Sequence, residues 1–322
     1  MTGSGRVLGV GIATVDIVNR VATYPPEDAE VRALDQRIAR GGNAVNTLAV
    51  LRQLGRPCAW IGTLADDDGA ALIRADLGTR GIDIANAVTV SGAATPTSYI
   101  ALSRATGSRT IIHHRDLPEL TAADFAKVPL DECAWVHFEG RHPSETGRMI
   151  ERVHREYPLL PLSVEIEKPR PGIEDLLRTA TPRTERGARV LIFSRAYAEA
   201  VGEGRDARRF LAQQADACDA ELLIAPWGAD GAYGLLRGSA TIHAPAHAPA
   251  AVVDTLAAGD VFNGALIDGL LAQDLATLDD RALAAILGRA NRIAGHGCGL
   301  VGLDGLVTSA RAAGLLREWS TA

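Results

Sequence analysis

Four short apolar runs, each separated from the next by a helix-length stretch, constrain the fold of this chain more than any other feature. Ala134-Trp135-Val136-His137-Phe138, Pro161-Leu162-Ser163-Val164-Glu165-Ile166, Arg189-Val190-Leu191-Ile192-Phe193 and Glu221-Leu222-Leu223-Ile224-Ala225 read as buried strands. Helical runs such as 145–157 and 205–216 lie between them. Strand–helix–strand units of this kind predict an α/β fold, a doubly wound and mainly parallel sheet flanked by helices. Val7–Ile12 and Cys58–Gly62 predict two more strands, and 69–81, 283–295 and 309–318 predict helices. With 322 residues, 47% of them apolar, the chain has ample material for a large core.

A second pattern sits outside that alternation. Tyr24–Asp28 and Val31–Ile38 read as two extended segments, while Thr97–Leu102 and Arg109–His113 flank a hairpin turn at Ala105-Thr106-Gly107-Ser108. Together they predict a small β-sheet lid, built from about 16–38 and 96–114 and inserted into a single domain over 1–322.

The chemistry concentrates in Asp254-Thr255-Leu256-Ala257-Ala258-Gly259-Asp260. Before it, Val252-Val253 reads as the end of a strand; after it, Phe262, Ala265, Leu266, Gly269 and Leu270 recur at helical spacing. A turn of small residues leaves main-chain N–H groups uncovered where a helix begins. There they lack intrahelical partners and carry the positive end of the macrodipole, which suits phosphate oxygens. Asp260, in the first helical turn, is placed to take a proton from a hydroxyl attacking that phosphate. An Asp at a helix start is also a common cap, so the rest of the chain must carry the functional reading.

Other polar residues fall where such a sheet gathers ligands. Asp16 follows the first strand, near a carboxyl end. Gly41-Gly42 opens a helix that Gly55 closes, with Asn43 and Asn46 three apart on one face, presenting amides toward one point. Trp227-Gly228-Ala229-Asp230-Gly231 forms a second small-residue turn able to meet phosphate. Gly295-His296-Gly297-Cys298-Gly299 predicts a flexible loop bordering a nucleotide base.

Several classes are excluded or disfavoured. A net charge of −6 lacks the basic excess of a nucleic-acid-binding surface. Cys58, Cys133, Cys218 and Cys298 form no CxxC pair, as expected of buried thiols in a reducing, cytoplasmic setting. No stretch has membrane-span length, and Met1–Gly5 reads as a frayed tail without a signal-peptide pattern. His113-His114-Arg115-Asp116 has the letters of a protein-kinase catalytic loop without that family's other motifs. Neither HExxH nor GxxxxGK[ST] nor GxSxG occurs, and Asp66-Asp67-Asp68 reads as a solvated turn.

Arg40-Gly41-Gly42-Asn43-Ala44-Val45-Asn46 and the 254–260 run resemble the two signatures of the ribokinase-like (PfkB) carbohydrate kinases. Pro96–Ile100, Arg109–Ile111, Asp116–Pro118, His137–Arg141 and Ser163–Arg170 are similar to the subgroup that phosphorylates fructose to fructose 1-phosphate. The resemblance implies an ATP-dependent sugar kinase using Mg²⁺, with an α/β core and a lid that often forms a dimer interface. It implies that Asp16, Asp28, Gly42, Asn43 and Asn46 hold the sugar hydroxyls, and that Arg109 reaches sugar or phosphate. It places Trp227, Gly228, Gly231, Thr255, Gly259, Gly297 and Cys298 around the nucleotide. The amides of Ala257, Ala258 and Gly259 would act with Asp260 in catalysis, and a monovalent cation such as K⁺ would sit near Thr255.

Two departures stand out. Ala257 replaces a family glycine; alanine costs little where φ is negative, but strains a left-handed backbone or crowds a phosphate. The Asn-x-x-Glu motif of many relatives reads Ser194-Arg195-Ala196-Tyr197 here, as it does not in the family at large but as the fructose-phosphorylating subgroup also departs. The alternatives are another acceptor (ribose, a nucleoside or a keto-deoxy sugar acid) and a catalytically silent sugar- or nucleotide-binding protein.

Overall fold

The computed structural model describes residues 5–179, 189–202 and 204–316. The first four residues of the expected tail and the last two of the expected 309–318 helix lie outside them. In chain order the strands are β1 (Arg6–Val10), β2 (Thr14–Val21), β3 (Asp35–Gly41), β4 (Cys58–Ile61), β5 (Thr63–Leu64), β6 (Ile82–Asp83), β7 (Val88–Thr89), β8 (Ala94–Ser103) and β9 (Arg109–Asp116). They continue as β10 (Cys133–Glu139), β11 (Leu162–Ile166), β12 (Arg189–Phe193), β13 (Leu222–Pro226), β14 (Ala232–Leu236) and β15 (Ile242–Ala244). The helices are α1 (Asn43–Gln53), α2 (Asp68–Thr79), α3 (Ala122–Phe125), α4 (Pro143–Glu156), α5 (Ile173–Thr179), α6 (Arg195–Ala200), α7 (Ala207–Ala217), α8 (Ala258–Leu271), α9 (Asp280–Gly297) and α10 (Leu306–Ala312).

The main sheet runs β15-β14-β13-β12-β11-β10-β1-β4-β6. From β6 to β13 neighbouring strands pair in parallel, and β14 and β15 close the edge antiparallel. Successive side chains of a strand face opposite ways, so each strand feeds two cores. Val190 and Ile192 join the core that includes residues of α1, α2, α8, α9 and α10. Leu191 and Phe193 join the one that includes residues of α4, α5, α6 and α7. In β10, Trp135, His137 and Glu139 share one face and Val136 and Phe138 the other. The polar members of that run therefore sit toward α1 and α8.

Two glycines set how closely those helices lie. A Cβ at Gly9 would stand 2.7 Å from Leu48 Cδ1, so α1 rests directly on β1. At Gly264 a Cβ would stand 2.9 Å from the Thr47 carbonyl oxygen, so α8 lies directly against α1. That contact brings the polar N-terminal ends of the two helices together.

The small sheet has the order β3-β2-β8-β9. The hairpin from 94 to 116 forms as expected, with Leu102 opposite Arg109. The other pair differs from the sequence reading. The stretch around Asp16, read as following the first strand at the start of the 16–38 lid segment, forms a full lid strand over 14–21, while Tyr24–Asp28 forms none. Pro25 and Pro26 lack the donors a ladder needs, and only the end of the second segment pairs, as β3.

Three other expectations change. Val252-Val253 is not in a sheet; the carbonyl of Cys298 accepts from the amides of Val253 (2.8 Å) and Asp254 (3.2 Å) instead. Gly295–Gly297 is not a loop but the last turn of α9. A Cβ at Gly295 would fall 1.9 Å from the His247 carbonyl oxygen, so this glycine serves close packing. Asp67 is no mere solvated turn residue, since its carboxylate caps α2 at the Ala70 amide (2.9 Å) and accepts from the Thr95 amide (2.8 Å).

Candidate active site

The site lies at the carboxyl ends of β1, β10 and β11, under the lid. One wall starts at β3 and runs into α1. Gly42, with φ of 111°, turns the chain there, and a Cβ would meet the Ile12 carbonyl oxygen at 2.3 Å. At Gly41 a Cβ would stand 2.1 Å from Asp16 Oδ2, so the missing side chain makes room for this carboxylate. Asp16 also accepts from the Thr14 hydroxyl at 2.9 Å. Asp16 is thus a lid-strand residue that returns over the glycine pair.

Asn43 and Asn46 reach inward from the first turn of α1. Asn46 Nδ2 donates to Asp260 Oδ2 at 2.8 Å, and its Oδ1 accepts from Arg40 Nη1 at 2.7 Å. Arg40 is buried and pairs with Asp76 through Nε at 2.6 Å. Burial lowers its pKa while Asp76 raises it, and the pair holds the Asn46 amide in one orientation. Asn43 Nδ2 makes a long contact, 3.4 Å, with Glu165 Oε2.

Asp260 is 6% exposed, in the first turn of α8. Burial first, then the charge of Glu165, raises its pKa well above the ordinary carboxylate range, and Asn46 partly opposes that shift. Ala257 is the N-cap of α8 and has φ of 60° and ψ of 11°, the left-handed conformation that favours glycine. The Ala258 amide makes a long bond to the Thr255 carbonyl, 3.4 Å, and a Cβ at Gly259 would meet nothing within 4 Å. The helix entrance is therefore bare, as an anion cradle requires.

The lid reaches the same loop from above. Arg109 Nη1 donates to Thr255 Oγ1 at 3.1 Å. Arg37 pairs with Asp254 at 2.5 Å, while the other oxygen of Asp254 accepts from the Leu256 amide at 2.9 Å. Cys298, just beyond Gly297, joins this loop through its carbonyl rather than its thiol.

The second turn follows β13. Gly228 has φ of 64° and Gly231 of 96°; a Cβ at Gly231 would strike the Ala244 carbonyl oxygen at 2.1 Å. Trp227 is buried against Phe210 and Tyr233, with the Arg195 guanidinium 5.9 Å from its ring centre. A cavity of about 520 Å³ opens beside it, lined by Arg195, Arg205 and Asp230 among others. Asp260 and Asn46 do not line this cavity.

Asp28 is not brought to the cluster. It is exposed in the connection between β2 and β3, at φ of 56°.

Sequence reasoning missed the buried second layer. Glu139 Oε2 accepts from the Ile12 amide (2.9 Å) and Oε1 from the Ala44 amide (2.7 Å), tying the start of α1 to the exit of β1. Burial raises its pKa, and the two amides and Arg141 pull it back. Glu165 is pushed up to about 8 by burial and by Glu139 and Glu167. The available signal was an acidic residue at or next to the end of a buried strand, in Phe138-Glu139 and Val164-Glu165-Ile166.

Known proteins bear on this arrangement. Mouse ketohexokinase is 36% identical over 320 residues, covering 94% of this chain and 99% of that protein. Among solved structures, ribokinase from Giardia lamblia superposes with a TM-score of 0.77 at 17% identity, covering 97% of this chain and 99% of its own. Arabidopsis thaliana ribokinase, complexed with ribose and ATP, does so at 0.75 and 19%, covering 98% of this chain and 99% of its own. These two share the ribokinase-like fold. Residues 5–146 and 183–300 match the pfkB carbohydrate kinases, and with the glycine pair, the 254–260 turn and the lid in place, this chain belongs to that family of ATP-dependent carbohydrate kinases.

Proposed function

We propose that this enzyme transfers the γ-phosphoryl group of MgATP to a primary hydroxyl of a ketose such as fructose. The observation that carries the mechanism is the pairing of Asp260 with Asn46 at the bare entrance of α8. The ketose is supported by the near full-length similarity to ketohexokinase.

Asp16, Gly42, Asn43 and Asn46 face the sugar hydroxyls, and Asp28 joins them only from a neighbouring subunit or after movement of its loop. The sugar oxygen attacks the γ-phosphorus as the bond to the ADP oxygen breaks, and Asp260 receives the hydroxyl proton. Amides from Ala257 to Asp260 stabilise the charge on the transferring group, and Arg109 adds a positive charge from the lid. Trp227, Gly228, Gly231, Gly297 and Cys298 border the nucleotide. Mg²⁺ enters with ATP as part of the substrate. A monovalent cation such as K⁺ would sit near Thr255.

The lid supports a homodimer. Ile38, Ile17, Tyr99 and Ile112 stand in register across its strands, and Ile38, Tyr99 and Ile112 are 56%, 50% and 68% exposed. A second copy of the lid would cover this apolar row. The reading places the protein in the cytoplasm, where ATP is available and its four free cysteines stay reduced. Among the described residues no helix is long and apolar enough to cross a membrane.

Release of ADP with a panel of acceptors tests the proposal. Turnover with fructose well above that with ribose, nucleosides or keto-deoxy sugar acids is expected. A preference for any of the others would replace the acceptor, and sugar binding without turnover would replace the kinase.

A further inference from the structure

Three carboxyl groups converge behind the site: Glu139 from β10, Glu165 from β11 and Asp260 from α8. All three are buried, and no ion pair involves any of them among the described residues. A pocket of this kind does not hold three full negative charges side by side, because buried like charges favour retention of a proton. The hydrogen bonds show which group keeps it. Glu139 receives two main-chain N–H groups at 2.9 and 2.7 Å, which suits an anion. Asp260 receives the Arg40-anchored amide of Asn46 at 2.8 Å and lies at the positive end of α8, which also suits an anion. Glu165 has one long donor, Asn43 at 3.4 Å.

A second observation points to the same group. Asn263, one turn beyond Asp260 on α8, is 1% exposed, and neither its Nδ2 nor its Oδ1 completes a hydrogen bond. It stands beside Glu165, and its side-chain amide lowers the Glu165 pKa, opposing part of the larger rise from burial, Glu139 and Glu167. Side-chain amides present oxygen or nitrogen by a half turn, so with Oδ1 facing Glu165 a carboxylic O–H has an acceptor there. We infer that Glu165 is a positioning residue, held as a neutral acid hydrogen-bonded to Asn263, so that the negative charge needed for proton abstraction rests on Asp260.

The charged groups that face Glu165 are Glu139, Asp260 and Glu167; Arg141 acts on the cluster through Glu139. Its pKa of about 8 agrees with a proton retained at neutral pH. A carboxyl whose pKa is raised in the folded state binds more protons folded than unfolded. Stability therefore falls as pH climbs from the unfolded value toward 8, by about tenfold in the folding constant per pH unit for one proton.

The test compares Glu165→Gln with the unmodified enzyme in unfolding curves from pH 5 to 9. The variant is expected to lose one proton's worth of that decline; parallel curves overturn the inference. The functional part rests on the kinase reading and is read from each protein's rate relative to its own value at pH 7. The unmodified enzyme is expected to lose rate above pH 8, as a second charge forms behind the transferring phosphoryl group, and Glu165→Gln to lose that limb; a limb retained in the variant overturns the functional role. Absence of turnover with every acceptor rejects the kinase reading and leaves the unfolding comparison decisive. Should the variant not fold, carbon-13 labelling of glutamate side-chain carboxyls decides the matter in the unmodified protein. A resonance protonated at pH 7 and moved by Asn263→Leu supports the inference, and glutamates all ionised at pH 7 overturn it.

Discussion

Asn46 holds Asp260 at 2.8 Å with one end of its amide and is itself held by Arg40 at 2.7 Å with the other. A carboxylate poised this way needs no rearrangement before it accepts a proton. In Asp260→Asn the shape and most polar contacts persist while the proton acceptor is gone. Turnover should fall by about 10²- to 10⁴-fold, with sugar affinity nearly unchanged. Steady-state rates and calorimetric sugar binding check this, and full activity would reject the base.

Gly41→Ala should damage sugar binding more than chemistry. Its Cβ would lie 2.1 Å from Asp16 Oδ2, so the carboxylate must leave its place. Overpacking of this kind costs about 1–3 kcal/mol, and KM for the sugar should rise roughly tenfold or more while KM for ATP changes little. Equal changes in both constants would mean that Asp16 does not face the sugar.

Ala257 occupies a left-handed conformation at φ of 60°. That conformation costs a non-glycine residue about 1–2 kcal/mol, partly offset by the greater unfolded-state freedom of glycine. Ala257→Gly should raise stability by about 0.5–1 kcal/mol, or roughly 1–3 °C in Tm, and preserve turnover. Ala257→Val should lower both. Calorimetric melting of the two variants distinguishes strain tolerated here from strain required for function.

Ile112→Lys puts a charge into the exposed apolar row of the lid. If two lids cover one another, light scattering should show a shift from dimer to monomer, with little loss of fold because Ile112 is 68% exposed. An unmodified protein that is monomeric at micromolar concentration would remove the dimer from the proposal.

Burial raises the pKa of Asp260, so its ionised form is depleted at pH values where an exposed aspartate is fully charged. The acid limb of kcat/KM should therefore lie above the usual range for aspartate and be absent from the residual rate of Asp260→Asn. A limb near the ordinary aspartate value would assign it to another group.

Much of the fold was legible because strand alternation and helix-length spacing report directly on burial. The 254–260 turn and the glycine pair were legible because small residues at helix starts leave few other uses for them. The lid was harder. Nothing local distinguishes the exit of β1 from the start of β2, since three intervening residues carry the chain from one sheet to the other. Glycine content misled at 295–297, where the need was for close packing against His247 and not for a bend. Glu139 and Glu165 stayed hidden because their partners come from 12, 43, 44 and 260 in other elements, distances that no periodicity records.

Two of the links that join the lid to the body are very short, residues 11–13 and Gly42, and its far ends are the connections at 22–34 and 104–108. The short links carry Asp16 and the start of α1, so any length change there would displace ligand-facing groups. The far ends carry other groups: Arg109, which donates to Thr255, directly follows 104–108, and Asp28 lies within 22–34. A change of length there alters what the lid presents to the 254–256 loop while the glycine pair and Asp16 keep their places.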